Sequence, residues 1–255
     1  SDQPSAAEAA LEGSRLQPGF ATRLSAFAAG GPAGQDAFPL RQMALTILKQ
    51  LTLQSWPVLS PGDQQATRQA LLVSIAEENK MLRGLLHACV ANARARGGLW
   101  PELHAQLAAG LTQGNAREAA CCVECVTVLL DECGPEVTTS LGALQEPMLR
   151  LASAEASPPE LRRQCVNAHL AGVQAVIALE RPEEAAMQAT IAGFSAWLSV
   201  HACLCAGLET WEATERVACA FAAIRAVTSF TRHRALETVI SEGLEAVLRP
   251  ACLLV

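Results

Sequence analysis

Residues 40–56 of this chain read LRQMALTILKQLTLQSW, and this stretch decides the fold. Its apolar residues recur every three or four positions, which predicts a helix that is buried along one side. The predicted buried stripe consists of Leu40, Met43, Ala44, Ile47, Leu48 and Leu51. The predicted solvent side carries Arg41, Gln42, Lys49 and Gln50. The stretch therefore predicts an amphipathic helix that needs neighbouring elements to cover one face.

The amino-acid composition favours a helical protein. Hydrophobic residues make up 51% of the 255 residues and charged residues only 17%, which argues against disorder. Aromatic residues are just 4% and tyrosine is absent, whereas β-sandwiches depend on aromatic and β-branched residues. The net charge of −6 gives no electrostatic footprint for direct binding of nucleic acid, and it is compatible with a basic protein partner.

The cysteines and the start of the sequence indicate the cellular compartment, and the last residues indicate that the chain is a fragment. The ten cysteines fall within helical patterns, and the polar start Ser1-Asp2-Gln3-Pro4 does not resemble a secretory signal. We therefore expect reduced thiols in a cytosolic or nuclear protein. The last residues, 251–255, are apolar, whereas a stacked-helix protein normally ends on a polar capping face. We therefore expect a piece of a longer chain.

Prolines and capping residues divide the chain into helices. Proline is favoured at the first helical position, and five prolines precede apolar-periodic stretches: Pro61, Pro101, Pro135, Pro158 and Pro182. Three capping patterns agree with these divisions: Ser60 with Asp63, Asn115 with Glu118, and Ser157 with Glu160. The predicted pairs are 6–29 (broken near Pro18) with 38–55, 61–77 with 80–96, 101–111 with 116–133, 136–154 with 158–179, and 183–205 with 209–230, followed by a last helix over 233–252.

The spacing of these pairs predicts a repeat protein. First helices of successive pairs begin roughly 34–50 residues apart, which is typical of HEAT-type repeats. Each pair shows more apolar surface than it could bury alone, so neighbouring pairs must stack. We predict an all-α fold, an α-solenoid of about five and a half HEAT-type helical hairpins that spans residues 1–255 as a single domain.

One uncharged stretch is long enough to cross a bilayer. No charged side chain occurs between Glu184 and Glu209. Polar residues are scattered through the stretch, alanine dominates over leucine, and no basic cluster flanks one end. We therefore predict a helix that is buried between neighbouring repeats, with no membrane insertion.

Two groups of cysteine and histidine residues have the side-chain chemistry of zinc ligands. Cys121, Cys122 and Cys125 share one predicted helix without a nearby histidine, whereas a zinc site needs four ligands with defined spacing. The sequence His201-x-Cys203-x-Cys205 would spread its side chains over about 200° of a helix, so they could not converge on one ion. We expect these cysteines to be small core residues and predict no metal site.

No catalytic motif is recognisable. The chain contains no phosphate-binding loop, dinucleotide fingerprint, metalloprotease helix or nucleophile elbow. The remaining histidines have no carboxylates at useful helical spacing: His87, His104, His169 and His233. We therefore expect neither an enzyme nor a cofactor.

Basic residues recur on the predicted second helices of the pairs. They are Arg41, Lys49, Lys80, Arg83, Arg117, Arg162 and Arg163. Second helices line the concave surface of a solenoid, so these charges could form a ladder that faces a partner. The alternative is that they only supply the solvated polar face that every helix needs.

Several motifs resemble the importin-β (karyopherin-β) family. The stretch from Arg41 to Trp56 resembles the second helix of that family's first repeat, which reads Arg-x-x-Ala-x-x-x-Leu-Lys-Asn followed by a Trp, with Gln50 here in place of the Asn. Residues 16–20 (LQPGF) resemble the break in the family's first helix, and residues 99–103 (LWPEL) resemble the start of its third repeat. The chain after Arg181 is similar to the importin-nine branch.

This resemblance implies the N-terminal HEAT repeats of a nuclear transport receptor, with an importin N-terminal region over about 1–56 and further repeats over 57–255. The implied partners are the GTPase Ran in its GTP form, basic protein cargo such as histones, and nucleoporins, and the implied location is shuttling between cytoplasm and nucleus. Ran-GTP would bias the curvature of the solenoid and so lower its affinity for cargo.

The resemblance also implies contact residues. The first-rank candidates for binding Ran are Arg41, Gln42, Lys49, Lys80 and Arg83, and the second-rank candidates on the concave face are Arg117, Arg162 and Arg163. An alternative function is a HEAT-repeat scaffold for a protein complex, with no dependence on a GTPase.

Overall fold

The structure, a computed structural model, describes residues 13–14, 17–30, 37–133, 137, 141–154 and 156–177. Its helices are α1 (Phe20–Gly30), α2 (Ala37–Gln54), α3 (Pro61–Val73), α4 (Lys80–Gly97), α5 (Pro101–Gln113), α6 (Ala116–Cys133), α7 (Gln145–Ser153) and α8 (Pro159–Ile177). Short 3-10 turns occur at Trp56–Val58 and Gly142–Leu144. No strand is present in the described ranges, so the all-α prediction is confirmed. The helices predicted over 183–252, including the uncharged stretch, lie outside the described residues.

The predicted caps explain where several helices begin. Pro61 and Pro101 are the first residues of α3 and α5, as expected. At the start of α3, the Ser60 hydroxyl accepts a hydrogen bond from the Asp63 backbone N–H at 3.1 Å. At the start of α6, the Asn115 side chain accepts from the Glu118 backbone N–H, and the Glu118 carboxylate accepts from the Asn115 backbone N–H. This reciprocal pair is the capping box that the sequence predicted.

Several predicted boundaries differ from the structure. Helix α3 ends at Val73, and the chain to residue 77 forms tight turns in which the Glu77 N–H bonds the Ser74 carbonyl. Helix α8 begins at Pro159, because the Arg162 N–H bonds the Pro158 carbonyl and thus moves the first turn one residue beyond the predicted start. The helix predicted over 136–154 contains the 3-10 turn at Gly142–Leu144, so α7 begins only at Gln145.

The chain divides into two compact units, Ser1–Gln106 and Leu107–Val255. In the first unit, α1 packs against α2 and α3, and α4 packs against α2 and α3. Helices α2 and α4 are parallel, because hydrogen bonds join Cys89 to Leu45 and then Asn92 to Lys49 and Thr52 further along both helices. The first helices of the two predicted pairs, α1 and α3, are therefore in contact, and so are the second helices, α2 and α4.

Asp63 connects the first helices α1 and α3. Its carboxylate accepts hydrogen bonds from the Gly19 backbone N–H at 3.1 Å, the Thr22 hydroxyl at 2.6 Å and the Ser60 hydroxyl at 2.8 Å. Gly19 has a φ of +78°, a left-handed conformation that glycine adopts without strain. The hydrogen bonds from Thr22, Ser60 and Gly19 lower the pKa of Asp63 below its ordinary value, so the buried side chain is held as a carboxylate.

An offset of 40 to 44 residues characterises these contacts. The hydrogen bonds between α1 and α3 join residues 41 and 44 positions apart, and those between α2 and α4 join residues 40, 43 and 44 positions apart. The second unit has the same offset, because Gln164 of α8 bonds Glu124 of α6, 40 positions earlier. Helix α8 also packs against α7, where the Arg162 guanidinium donates to the Ala152 carbonyl at 2.9 Å.

The cores of the two units are aliphatic. The first unit buries leucines of α2, α3 and α4 almost completely, together with Trp56 and Trp100. In the second unit, Cys121, Cys122 and Cys125 are 2%, 4% and 0% exposed, and burial raises the pKa of Cys122 to about 12. These three thiols pack as small apolar side chains, as the sequence indicated. None of the helices that the structure describes is both long enough and apolar enough to cross a bilayer.

Candidate protein-binding surface

Helix α2 buries only part of the predicted stripe: Ala44, Leu48 and Leu51 are buried as predicted. Leu45, Leu48 and Leu51 are at most 1% exposed, whereas Leu40 and Met43 are 50% and 56% exposed. The prediction that Leu40 and Met43 are buried was therefore wrong. The reason is that α1 and α4 pack against α2 from two sides, and the buried sector is the one between them rather than the most apolar stripe.

Exposed residues of α2 and α4 make up the candidate surface. We call it the α2–α4 face and define it by Met43, Lys49 and Leu53 of α2 with Lys80 and Met81 of α4, all of which are exposed. The two helices are parallel and directly in contact, and Lys49 lies on the side of α2 that adjoins α4. Exposed methionine and leucine next to lysine ammonium groups are suited to binding a protein, since methionine adapts its shape to a partner.

Lys49 and Lys80 are the predicted Ran-binding residues that face solvent. Both side chains are exposed in the structure. The backbone carbonyl of Lys49 accepts a hydrogen bond from Asn92 of α4, which places Lys49 on the side of α2 that adjoins α4. Gln42 is half-buried on the same helix.

The other two first-rank residues, Arg41 and Arg83, are brought together at Glu77 and have internal partners. The Arg41 guanidinium donates to the Ala28 carbonyl at 3.0 and 3.1 Å and to the Glu77 carboxylate at 2.5 Å. Arg83 donates to the Glu77 and Glu78 carbonyls at 2.8 and 3.3 Å. Burial alone would raise the pKa of Glu77, but hydrogen bonds from the Asn79 N–H and from Arg41 lower it below its ordinary value. Arg41 and Arg83 therefore hold α1, α2 and α4 to the turn after α3.

The second-rank residues all lie in the second unit. Arg117 is exposed at the start of α6. Arg162 is only 9% exposed and bonds the Ala152 carbonyl, so it connects α7 to α8. Arg163 forms a two-pronged ion pair with Glu160, one turn earlier on α8, with N–O distances of 2.6 and 2.7 Å. Arg162 therefore supports the packing of its own unit, and Arg163 is already paired.

The tryptophans of the two sequence motifs meet at a residue that sequence reasoning missed. The Arg68 guanidinium of α3 lies over the rings of Trp56 and Trp100, 5.7 and 5.3 Å from their centroids. Arg68 also donates to the Gly97 carbonyl at 2.8 Å. The cation–π contacts connect the turn before α3 to the start of α5. The sequence offered one signal for this contact, namely that each of the two motifs contains a tryptophan.

No family model and no curated protein matches the chain. The described residues define a class of protein, an all-helical chain whose helices pack against each other and whose helices α2 and α4 expose lysine, methionine and leucine side chains.

Proposed function

We propose that the chain is the N-terminal part of a nuclear transport receptor of the importin-β type, an α-solenoid of HEAT-type hairpins. In this proposal the α2–α4 face binds Ran-GTP, and the full-length receptor carries basic protein cargo past nucleoporins as it shuttles between cytoplasm and nucleus. The net charge of −6 suits a basic cargo.

One observation carries the proposal. Second helices α2 and α4 lie parallel and side by side, and hydrogen bonds between like helices have offsets of 40 to 44 residues. A HEAT repeat has a period of about 40–47 residues, so this offset is what stacking of successive repeats requires. Helix α2, whose sequence resembles the importin-β motif, therefore lies beside α4, the second helix of the following pair.

The structure sharpens the choice of contact residues. Lys49 and Lys80 are exposed on the α2–α4 face and are the preferred electrostatic contacts for an acidic patch on Ran. Arg41 and Arg83 have internal hydrogen bonds, so we assign them a supporting role in the shape of the surface. Met43 and Met81 supply the apolar part of the contact.

Charge reversal tests this assignment. We expect the double variant Lys49→Glu with Lys80→Glu to bind Ran-GTP at least about tenfold more weakly than the wild-type chain, because two attractive contacts become repulsive. Arg23→Glu is the matched control: Arg23 is exposed on α1, outside the α2–α4 face, and its reversal should leave the affinity within about twofold. The measurement is titration with Ran loaded with a non-hydrolysable GTP analogue or with GDP.

The outcomes separate the two candidate functions. Binding of the GTP form alone, weakened by the double variant and not by Arg23→Glu, supports the transport receptor. Equal binding of the GTP and GDP forms, or no binding, would leave the scaffold that does not depend on a GTPase. An unchanged affinity of the double variant would show that the α2–α4 face is not the contact.

A further inference from the structure

A cluster of basic groups surrounds the turn between α4 and α5. Arg68 of α3 contacts this turn through the Gly97 carbonyl and the Trp100 ring. Arg94 is one helical turn before Gly97 on α4, and His104 is one turn after Trp100 on α5. Residues three apart share a helix face, which places Arg94 on the Gly97 side of α4. The three basic groups therefore lie around one turn and belong to three different helices.

Electrostatic coupling agrees with this placement. Burial lowers the pKa of Arg68 below its ordinary value. The charge of Arg94 lowers this pKa further, and the charge of Glu102 opposes the shift. Burial also lowers the pKa of His104, and the charge of Arg94 adds to that effect. Arg94 is thus close enough to both groups to repel their positive charge. Glu102 is the carboxylate coupled to Arg68, and its side chain is exposed to solvent.

The cluster contains buried nitrogen atoms that have no hydrogen-bond partner among the described residues. Arg94 is only 6% exposed. Within the described part of the chain, the buried nitrogens without a hydrogen-bond partner include Nε of Arg68, Nε of Arg94 and Nε2 of His104. A buried guanidinium N–H without a hydrogen-bond acceptor is unfavourable, so the Nε atoms of Arg68 and Arg94 are suited to an anionic partner.

We propose that Arg68, Arg94 and His104 form a binding site for a phosphate-type oxyanion. Two guanidinium groups and an imidazole, each on a different helix, carry more than two N–H groups, which matches the several oxygens of a tetrahedral anion better than the two coplanar oxygens of a carboxylate. Arg94 is the most buried of the three groups, whereas Arg68 and His104 are half-buried. The rings of Trp56 and Trp100 hold the Arg68 guanidinium in place before the anion arrives.

The test is a titration of the 255-residue chain with inorganic phosphate, with chloride at matched ionic strength and pH as the reference. We expect saturable binding by calorimetry and a melting temperature that rises with phosphate. Arg94→Met should weaken binding at least about tenfold, the loss expected for one charge-assisted hydrogen bond. The variant should fold, because an apolar side chain of similar length replaces an uncompensated buried charge.

Two further variants keep the test specific. Arg96→Met removes an exposed charge from the same helix and should respond to phosphate as the wild-type chain does, which controls for general salt effects. His104→Gln should weaken phosphate binding less than Arg94→Met, but measurably. If Arg94→Met binds phosphate as tightly as the wild-type chain, or if the wild-type chain responds to phosphate no more than to chloride, the proposal is overturned.

A second arm identifies the source of the anion. A phosphoserine peptide is compared with inorganic phosphate and with the same peptide lacking the phosphate. Binding of the phosphopeptide at least about tenfold tighter than inorganic phosphate, and lost in Arg94→Met, assigns the site to a phosphorylated protein partner. Equal affinities assign it to a free phosphate compound.

Discussion

Replacing Gly97 with alanine is expected to lower the free energy of unfolding by about 2–3 kcal/mol, although the same change usually stabilises a helix. A Cβ at Gly97 would overlap the Arg68 guanidinium and lie 2.6 Å from the Trp56 indole nitrogen. Trp56 is 1% exposed and cannot move aside, so Arg68 would have to leave both tryptophan rings and the Gly97 carbonyl. Urea unfolding followed by fluorescence measures the loss.

The same helix supplies the matched control for this prediction. A Cβ at Gly84 of α4 would meet nothing within 4 Å. Gly84→Ala should therefore stabilise the chain by about 0.5–1 kcal/mol, the ordinary gain from replacing glycine within a helix. Equal effects of Gly84→Ala and Gly97→Ala would show that Arg68 and Trp56 do not occupy the space beside Gly97.

Replacing Asp63 with alanine is the second large effect, a loss of about 3 kcal/mol. The carboxylate is 6% exposed and accepts three hydrogen bonds, two of which come from Gly19 and Thr22 of the neighbouring hairpin. Its removal leaves these donors unsatisfied and weakens the contact between α1 and α3. Asp63→Asn, which keeps one acceptor oxygen but no charge, should lose less. Chemical denaturation of the three proteins at neutral pH gives the comparison.

The pH dependence follows from the lowered pKa of Asp63. Because the folded-state pKa lies below the unfolded value of 3.8, the charge stabilises the fold fully above that pH. This stabilisation is lost as the pH falls through the lower folded-state pKa. The difference in unfolding free energy between the wild-type chain and Asp63→Asn should therefore shrink steadily below about pH 4. A difference that stays constant down to pH 2 would contradict the role of the charge.

Local signals in the sequence were enough to place most of the described helices. Proline at the first position and the capping box of Asn115 and Glu118 depend only on neighbours in sequence, so the starts of α3, α5 and α6 could be predicted. Helix α3 ended early because the chain from Ser74 to Glu77 forms tight turns. Hydrophobic spacing alone did not show where this change occurs.

The candidate site was less predictable for a physical reason. The spacing of basic residues identified Arg41, Lys49, Lys80 and Arg83 as one group. It could not separate them, because the partners of Arg41 and Arg83 are backbone carbonyls and Glu77, which are chosen by the packing of other helices. The exposure of Met43 has the same origin: the directions from which α1 and α4 approach decide it. Interactions between distant parts of the chain therefore separate supporting residues from exposed ones.

Hydrogen–deuterium exchange of the whole chain with Ran tests the central claim, that the α2–α4 face is a nucleotide-dependent docking surface. With Ran-GTP, exchange should slow in peptides from α2 (Ala37–Gln54) and α4 (Lys80–Gly97), and it should slow less in α1 and α3. With Ran-GDP, all four helices should exchange as in the unbound chain. Protection confined to α1 and α3, or identical protection with both nucleotides, would contradict this account.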